Sequence, residues 1–157
     1  MILASTQTTT PDSPFPIAPS RTADKFVLRI PKPLNEALAD LARAQYRSFN
    51  NEVVQAVLSH IEGHRRVRAL RDILIQRLSL EIGNAVLIGM ELIPHHGDVL
   101  GEFPIRMPDG MRAKLKLGEG SMRETVAKAC AEWVLYSQQI EALLARCADP
   151  DVPYPTS

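Results

Sequence analysis

The sequence has few of the features that mark secreted or membrane-spanning proteins. Its two cysteines, Cys130 and Cys147, would lie about 25 Å apart on one helix, too far to form a disulfide. The start, MILASTQTTT, lacks the basic residues of a signal peptide. The longest apolar stretch, around AVLIGMELI, is too short to span a membrane. These absences predict a cytoplasmic protein in a reducing compartment, with no membrane partner.

The formal net charge at pH 7 is zero, but the charged residues are unevenly distributed along the chain. Residues 21–72 carry ten Lys or Arg against six Asp or Glu, whereas residues 73–157 carry eight against eleven. A basic front half and an acidic back half predict that the front half binds a polyanion.

Composition and periodicity predict four segments. Residues 1–23 are rich in Thr, Pro and Ser and are predicted to form a disordered arm. Residues 24–63 and 64–148 carry the periodic apolar patterns, and residues 149–157 are predicted to be a disordered tail. We find no internal repeat in the sequence.

The segment 24–63 begins with one short predicted strand. Its apolar residues alternate with outward-facing ones: Phe26, Leu28 and Ile30 on one side, and Lys25, Val27 and Arg29 on the other. No neighbouring strand follows within the segment. Because a single strand leaves its backbone groups unpaired, it must pair with a further strand that this segment does not supply.

Two helices are predicted after the strand. Pro33 suits a first helical turn, and apolar residues from Leu34 onward keep the spacing of a helix with one apolar stripe. Ser48 and Asn50 are candidate N-caps for a second helix that continues to Ile61.

The back half is predicted to be mostly helical. Apolar spacing predicts a helix from Val67 to Ile82, which either ends at Gly83-Asn84 or runs on towards Pro94. The stretch AVLIGMELI is equally compatible with a buried strand.

A turn and a last helix complete the predicted elements. Pro108-Asp109-Gly110 forms a predicted turn between two candidate strands, residues 102–107 and 111–117, which indicates a β-hairpin. Pro104 restricts the first of these to a sheet edge. Ser121 and Glu124 form a capping box that opens a long helix to about Cys147.

Two motifs in residues 25–61 resemble the ribbon-helix-helix DNA-binding family of the Arc repressor type. The stretch RSFNNEV is similar to that family's turn and second-helix start, and FVLRIP fits the family's strand ending. The resemblance implies a β-α-α unit of a bacterial or phage regulator that forms an intertwined homodimer, or a tetramer. In it the strand has no partner within its own chain and pairs antiparallel with the same strand of a second chain. The expected fold is therefore α+β and mostly helical, with this unit followed by a helical domain.

The resemblance also implies functional residues. The two paired strands would enter the major groove of double-stranded DNA, where Lys25, Val27 and Arg29 read base edges. The start of the second helix would contact a backbone phosphate through the positions Ser48, Phe49 and Asn50. A structural ion pair between Arg47 and Glu52 is expected too.

Two positions depart from the family pattern. Ala56 stands where a second arginine would complete a buried Arg–Glu–Arg triad, so only the Arg47–Glu52 pair is expected. Tyr46 stands where glycine often ends the first helix, which predicts either a tyrosine at positive φ or a different turn.

The sequence thus favours a sequence-specific DNA-binding transcriptional repressor, with residues 64–148 serving oligomerisation or effector sensing. The alternatives are an antitoxin-type interaction module and an accessory DNA-binding protein for plasmid transfer or partition. A helix-turn-helix reading of residues 34–61 is a structural rival. His60, His64, His95 and His96 lack the spacing of a metal site, and no catalytic arrangement is present, so we predict no metal, cofactor or enzyme activity.

Overall fold

The computed structural model describes residues 24–116, 118, 120–149 and 151. The predicted arm at residues 1–23 lies outside these residues, as does most of the predicted tail. The elements are, in chain order, β1 (Asp24–Ile30), α1 (Lys32–Ala44), α2 (Phe49–Ile61), α3 (Arg65–Leu78), α4 (Leu80–Leu87), β2 (Gly101–Met107), α5 (Met111–Leu115) and α6 (Met122–Cys147). The predicted class, α+β and mostly helical with an N-terminal β-α-α unit, is confirmed.

β1 pairs antiparallel with β2 of the same chain, and Val27 lies opposite Pro104 at the centre of the ladder. The prediction that β1 has no partner within the chain is therefore wrong. Proline suits this position because the backbone N–H of Arg106 points away from β1, to Asn50. Pro104 lies two residues earlier and faces the same way, so its missing N–H removes no bond to β1.

The inward side chains of this two-stranded sheet are covered by helices from both halves of the chain. One core cluster includes Leu28 and Ile30 of β1, Leu34 and Leu38 of α1, Val53 and Val57 of α2, Ile105 and Met107 of β2, and Val126 and Cys130 of α6. Residues on both sides of the predicted boundary at Gly63 thus contribute to a single core. The division into separate domains stays a prediction.

The predicted β-hairpin is wrong in its second strand, because Met111–Leu115 forms the helix α5. Met111 and Leu115 are both buried, as expected for residues four apart on one helix face. Gly110 precedes them at φ 84°, a left-handed conformation that glycine adopts readily. In so short a segment the sequence does not distinguish a strand from a helix, because residues four apart, such as Met111 and Leu115, lie on the same face of either.

The helix predicted from Val67 is interrupted at Ser79, which adopts a φ of 98° between α3 and α4. Gly83 does not end the helix but lies inside α4, where an added Cβ would come within 2.8 Å of Ile75. The absence of a side chain at Gly83 therefore lets α4 fold back against α3.

A second, smaller core joins these helices to the C-terminal half of α6. It contains Leu74, Leu78 and Leu143. The N-terminal half of α6 thus packs in the first core and its C-terminal half in the second. Among the described residues, no helix is both long and apolar enough to cross a membrane.

Candidate nucleic-acid interface

The outer surface of the β1–β2 pair, which we call the ribbon face, is formed by side chains from both strands. Lys25, Val27 and Arg29 are exposed, as are Glu102, Pro104 and Arg106 of β2. The residues between them point inward, and Leu28 and Ile105 are essentially inaccessible to solvent. The structure thus places the three predicted base-reading residues together on one exposed surface.

The two ends of the ribbon face differ in charge. At one end, Lys25 lies opposite Arg106, so two cations share a cross-strand position. At the other end, Arg29 lies opposite Glu102 and its Nη2 is 3.0 Å from the carboxylate Oε1. Because both side chains of this ion pair remain exposed, the pair contributes little to stability. It does place a carboxylate acceptor beside the Arg29 guanidinium.

The three predicted phosphate-binding residues lie at the start of α2. Ser48 caps the helix, with its Oγ accepting a hydrogen bond from the Asn51 N–H at 3.1 Å. The ring of Phe49 packs against that of Phe103, with centroids 5.5 Å apart. The start of α2 is therefore held against β2, beside the ribbon face.

Asn50 fastens the same helix end to the ribbon. Its Nδ2 donates to the Arg106 carbonyl at 3.0 Å, and its Oδ1 accepts from the Arg106 N–H at 2.7 Å. These two bonds cover part of the outer edge of β2 and occupy the Asn50 side chain. Phosphate binding at this helix start stays a prediction, and Asn50 would support it by positioning the helix.

Glu52 forms a buried polar cluster behind the ribbon. Its Oε2 lies 3.2 Å from Arg47 Nη1, and its Oε1 accepts a 2.7 Å hydrogen bond from Trp133 Nε1. Glu52 is fully buried, as is Ala56. The indole N–H from α6 therefore supplies a second donor to the carboxylate, where the family pattern would supply a second arginine.

Tyr46 lies in the turn between α1 and α2 at φ 55°, with 98% of its surface exposed. Of the two outcomes expected for this position, the structure has the tyrosine in the left-handed conformation. The exposed ring forms no part of the core.

His64 connects the end of α2 to α6. Its Nδ1 lies 2.7 Å from Ser59 Oγ, and its Nε2 lies 2.7 Å from Glu132 Oε2. His60 Nδ1 is 3.7 Å from the same carboxylate oxygen, so three potential metal-ligand groups lie close together. Sequence spacing gave no sign of this cluster because Glu132 is 68 residues from His64. Both ring nitrogens of His64 have protein partners, and these contacts link α2 to α6.

Cys130 is fully buried in the first core, and this burial raises the pKa of its thiol to about 12. Since the thiolate is the reactive form, we expect iodoacetamide at pH 8 to leave Cys130 unlabelled in the folded protein. Cys147 is partly exposed and provides the internal comparison. Mass spectrometry of native and urea-unfolded samples would measure both sites, and labelling of Cys130 at the rate of Cys147 would contradict the prediction.

Residues 102–107 were predicted as a strand, but their pairing with β1 in the ribbon face was not. A signal was present, because FPIRMP at residues 103–108 repeats the Phe, Arg and Pro spacing of FVLRIP at residues 26–31. The expectation that the chain contains no internal repeat is therefore wrong at the level of the two strands. Pro104 concealed the similarity, since proline is disfavoured in the middle of a paired strand.

Comparison with known proteins found two similarities, each to a part of the chain. Over 35 residues the chain is 51% identical to the transcription factor AmrZ of Pseudomonas ogarae, and the match covers 22% of this chain and 32% of that protein. No solved structure matches the chain. The family model described as the Arc-like DNA binding domain matches residues 20–67, which contain β1, α1 and α2. Residues 20–67 are therefore an Arc-like DNA-binding domain.

Proposed function

We propose that this chain is a sequence-specific DNA-binding transcriptional regulator, and that it represses by occupying its operator. The ribbon face is the main support for this proposal. It is exposed, rich in cations and formed by a two-stranded antiparallel ribbon whose opposite face is buried. A ribbon of this kind fits the major groove of B-DNA, where base pairs present distinct donor and acceptor patterns.

The three predicted readers have different roles in the proposal. Arg29 can donate two hydrogen bonds to O6 and N7 of guanine, and Lys25 can approach the same acceptors as a point charge. Val27, which is 43% exposed, can contact a thymine methyl group. The start of α2, with its positive dipole end, would contact a phosphate and fix the position of the ribbon without specifying sequence.

Replacement of Arg29 tests base reading. We expect Arg29→Ala to weaken binding by about 1–3 kcal/mol at one base pair and to relax the preference there, because a bidentate contact is lost. Selection of binding sites from a random duplex library, with the wild type in parallel, measures both effects.

The matched controls are Asn51→Ala and Gln55→Ala on α2. These variants should retain the wild-type site preference, since both residues lie on a helix rather than on the ribbon face. If they abolish the preference while Arg29→Ala leaves it intact, α2 is the recognition helix and the helix-turn-helix rival is correct.

We also propose that residues 64–148 mediate self-association of the chain. Support comes from large apolar side chains exposed on α3 and α4, with Ile73 at 61% and Leu80 at 70% exposure. Sedimentation velocity of the full chain should show concentration-dependent association that Ile73→Glu/Leu80→Glu weakens. Sedimentation as a monomer at all concentrations would contradict this role.

A further inference from the structure

The β1–β2 ladder has the register expected for two equivalent strands related by a two-fold axis. Phe26 lies opposite Ile105, and Leu28 lies opposite Phe103. In the matching of FVLRIP with FPIRMP, Leu28 corresponds to Ile105 and Phe26 to Phe103, so each strand meets the other in the same way. Val27 lies opposite its own counterpart, Pro104, which places the axis at the centre of the ribbon.

The helices that follow the strands continue this equivalence. Met111 and Leu115 of α5 occupy the positions of Leu34 and Leu38 of α1, and all four are buried. α5 is shorter than α1, with five residues against thirteen, so the second copy of this element keeps only the part that packs under the ribbon.

The last helices show the closest similarity. Ser48 caps α2 by accepting from the N–H three residues later, and Ser121 caps α6 with the same geometry at 3.2 Å. After each cap, the core positions coincide: Val53 with Val126, Ala56 with Ala129, and Val57 with Cys130, all fully buried. The order β2-α5-α6 thus reproduces the order β1-α1-α2 around the same axis.

We infer that one chain supplies both halves of a ribbon-helix-helix unit, and that its ribbon consequently reads an asymmetric DNA site. The inference rests on the proposed DNA-binding function and names the partner more closely, as a duplex whose recognised sequence is not palindromic. Two identical chains would present the same residues at both ends of the ribbon, and a palindrome would match that symmetry. Here the two ends carry different residues.

The difference is concentrated at two positions of β2. Arg106 occupies the place equivalent to Arg29, so this reader is retained, but Glu102 occupies the place equivalent to Lys25, and Pro104 that of Val27. At one end Lys25 and Arg106 favour hydrogen-bond acceptors such as guanine O6 and N7. At the other end Glu102, 3.0 Å from Arg29, adds an acceptor that suits the N4 amino group of cytosine and disfavours phosphate. One half of the site should therefore differ from the other.

The test compares the full-length wild type with Glu102→Lys in binding-site selection, together with the number of chains bound per duplex. For the wild type we expect a non-palindromic site and one chain per ribbon site in a titration at stoichiometric concentration. Because Glu102→Lys makes the second end resemble the first, it should move the preference towards a palindrome built from the first half-site. Relative affinity for that palindrome should rise roughly 5- to 150-fold, the range of one good base contact.

Glu36→Lys is the matched control, because the Glu36 and Glu102 side chains are both 61% exposed and the charge change is the same. It lies on α1, away from the ribbon face, and should leave the preferred sequence unchanged. If Glu102→Lys fails to fold, the wild-type site and stoichiometry still decide the question. A palindromic wild-type site with two chains per ribbon would overturn the inference and leave the proposed function intact. If the wild-type protein shows no sequence preference at all, both the inference and the proposed function are wrong.

Discussion

Ile105→Ala is expected to destabilise the Arc-like domain by about 2–5 kcal/mol, although Ile105 lies outside residues 20–67. Its side chain is 1% exposed and lies opposite Phe26 in the ladder. Truncation would open a cavity in the core that β1, α1 and α2 share with β2 and α6. Loss of a buried isoleucine in β2 should therefore affect the whole first core as strongly as Leu28→Ala in β1.

Urea unfolding measures this prediction, with Trp133 as the fluorescence probe. Trp133 is the only tryptophan and its indole is bonded to Glu52 of α2, so its emission reports separation of α6 from the Arc-like domain. We expect one cooperative transition with a lowered midpoint for both variants. Val99→Ala, at an 85% exposed position, should change stability by less than about 0.5 kcal/mol. An Ile105→Ala midpoint equal to that of Val99→Ala would show that β2 does not belong to this core.

The front half of the fold was predictable because local signals there agree with each other. Alternation from Lys25 to Ile30 is unbroken, and the helix stripes of α1 and α2 follow with the expected spacing. The cap at Ser48 and the buried Glu52 also follow from the motif RSFNNEV, whose side chains interact within a few residues of one another. Such short-range interactions are encoded in the spacing itself.

The partner of β1 was not predictable in the same way because its signals are long-range and weak. Pro104 disguises β2, and α5 is too short to display a helical period. The contact between Trp133 and Glu52 joins positions 81 residues apart, and no local pattern encodes it. The equivalence between β2-α5-α6 and β1-α1-α2 follows from the ladder register, which relates FPIRMP to FVLRIP by a two-fold axis.

Arg47→Ala is expected to cost about 3 kcal/mol of folding stability, because it leaves the fully buried carboxylate of Glu52 without its cation. We place the loss at the lower end of the range for broken buried pairs, since 37% of the Arg47 side chain is exposed and already partly hydrated. After truncation, the Trp133 N–H would be the remaining described side-chain donor to Glu52. One neutral hydrogen bond does not offset the desolvation of a full negative charge.

The double variant Arg47→Ala/Glu52→Gln separates charge burial from packing. Glutamine removes the buried charge and keeps an oxygen that can accept the Trp133 N–H, so the double variant should recover most of the stability that Arg47→Ala loses. Arg43→Ala is the matched control on α1, because its ion pair with Asp40 is exposed and should contribute less than about 1 kcal/mol. Urea midpoints of the variants decide between the explanations. If the double variant is no more stable than Arg47→Ala, the arginine stabilises the turn through packing, and Glu52 tolerates burial with Trp133 as its donor.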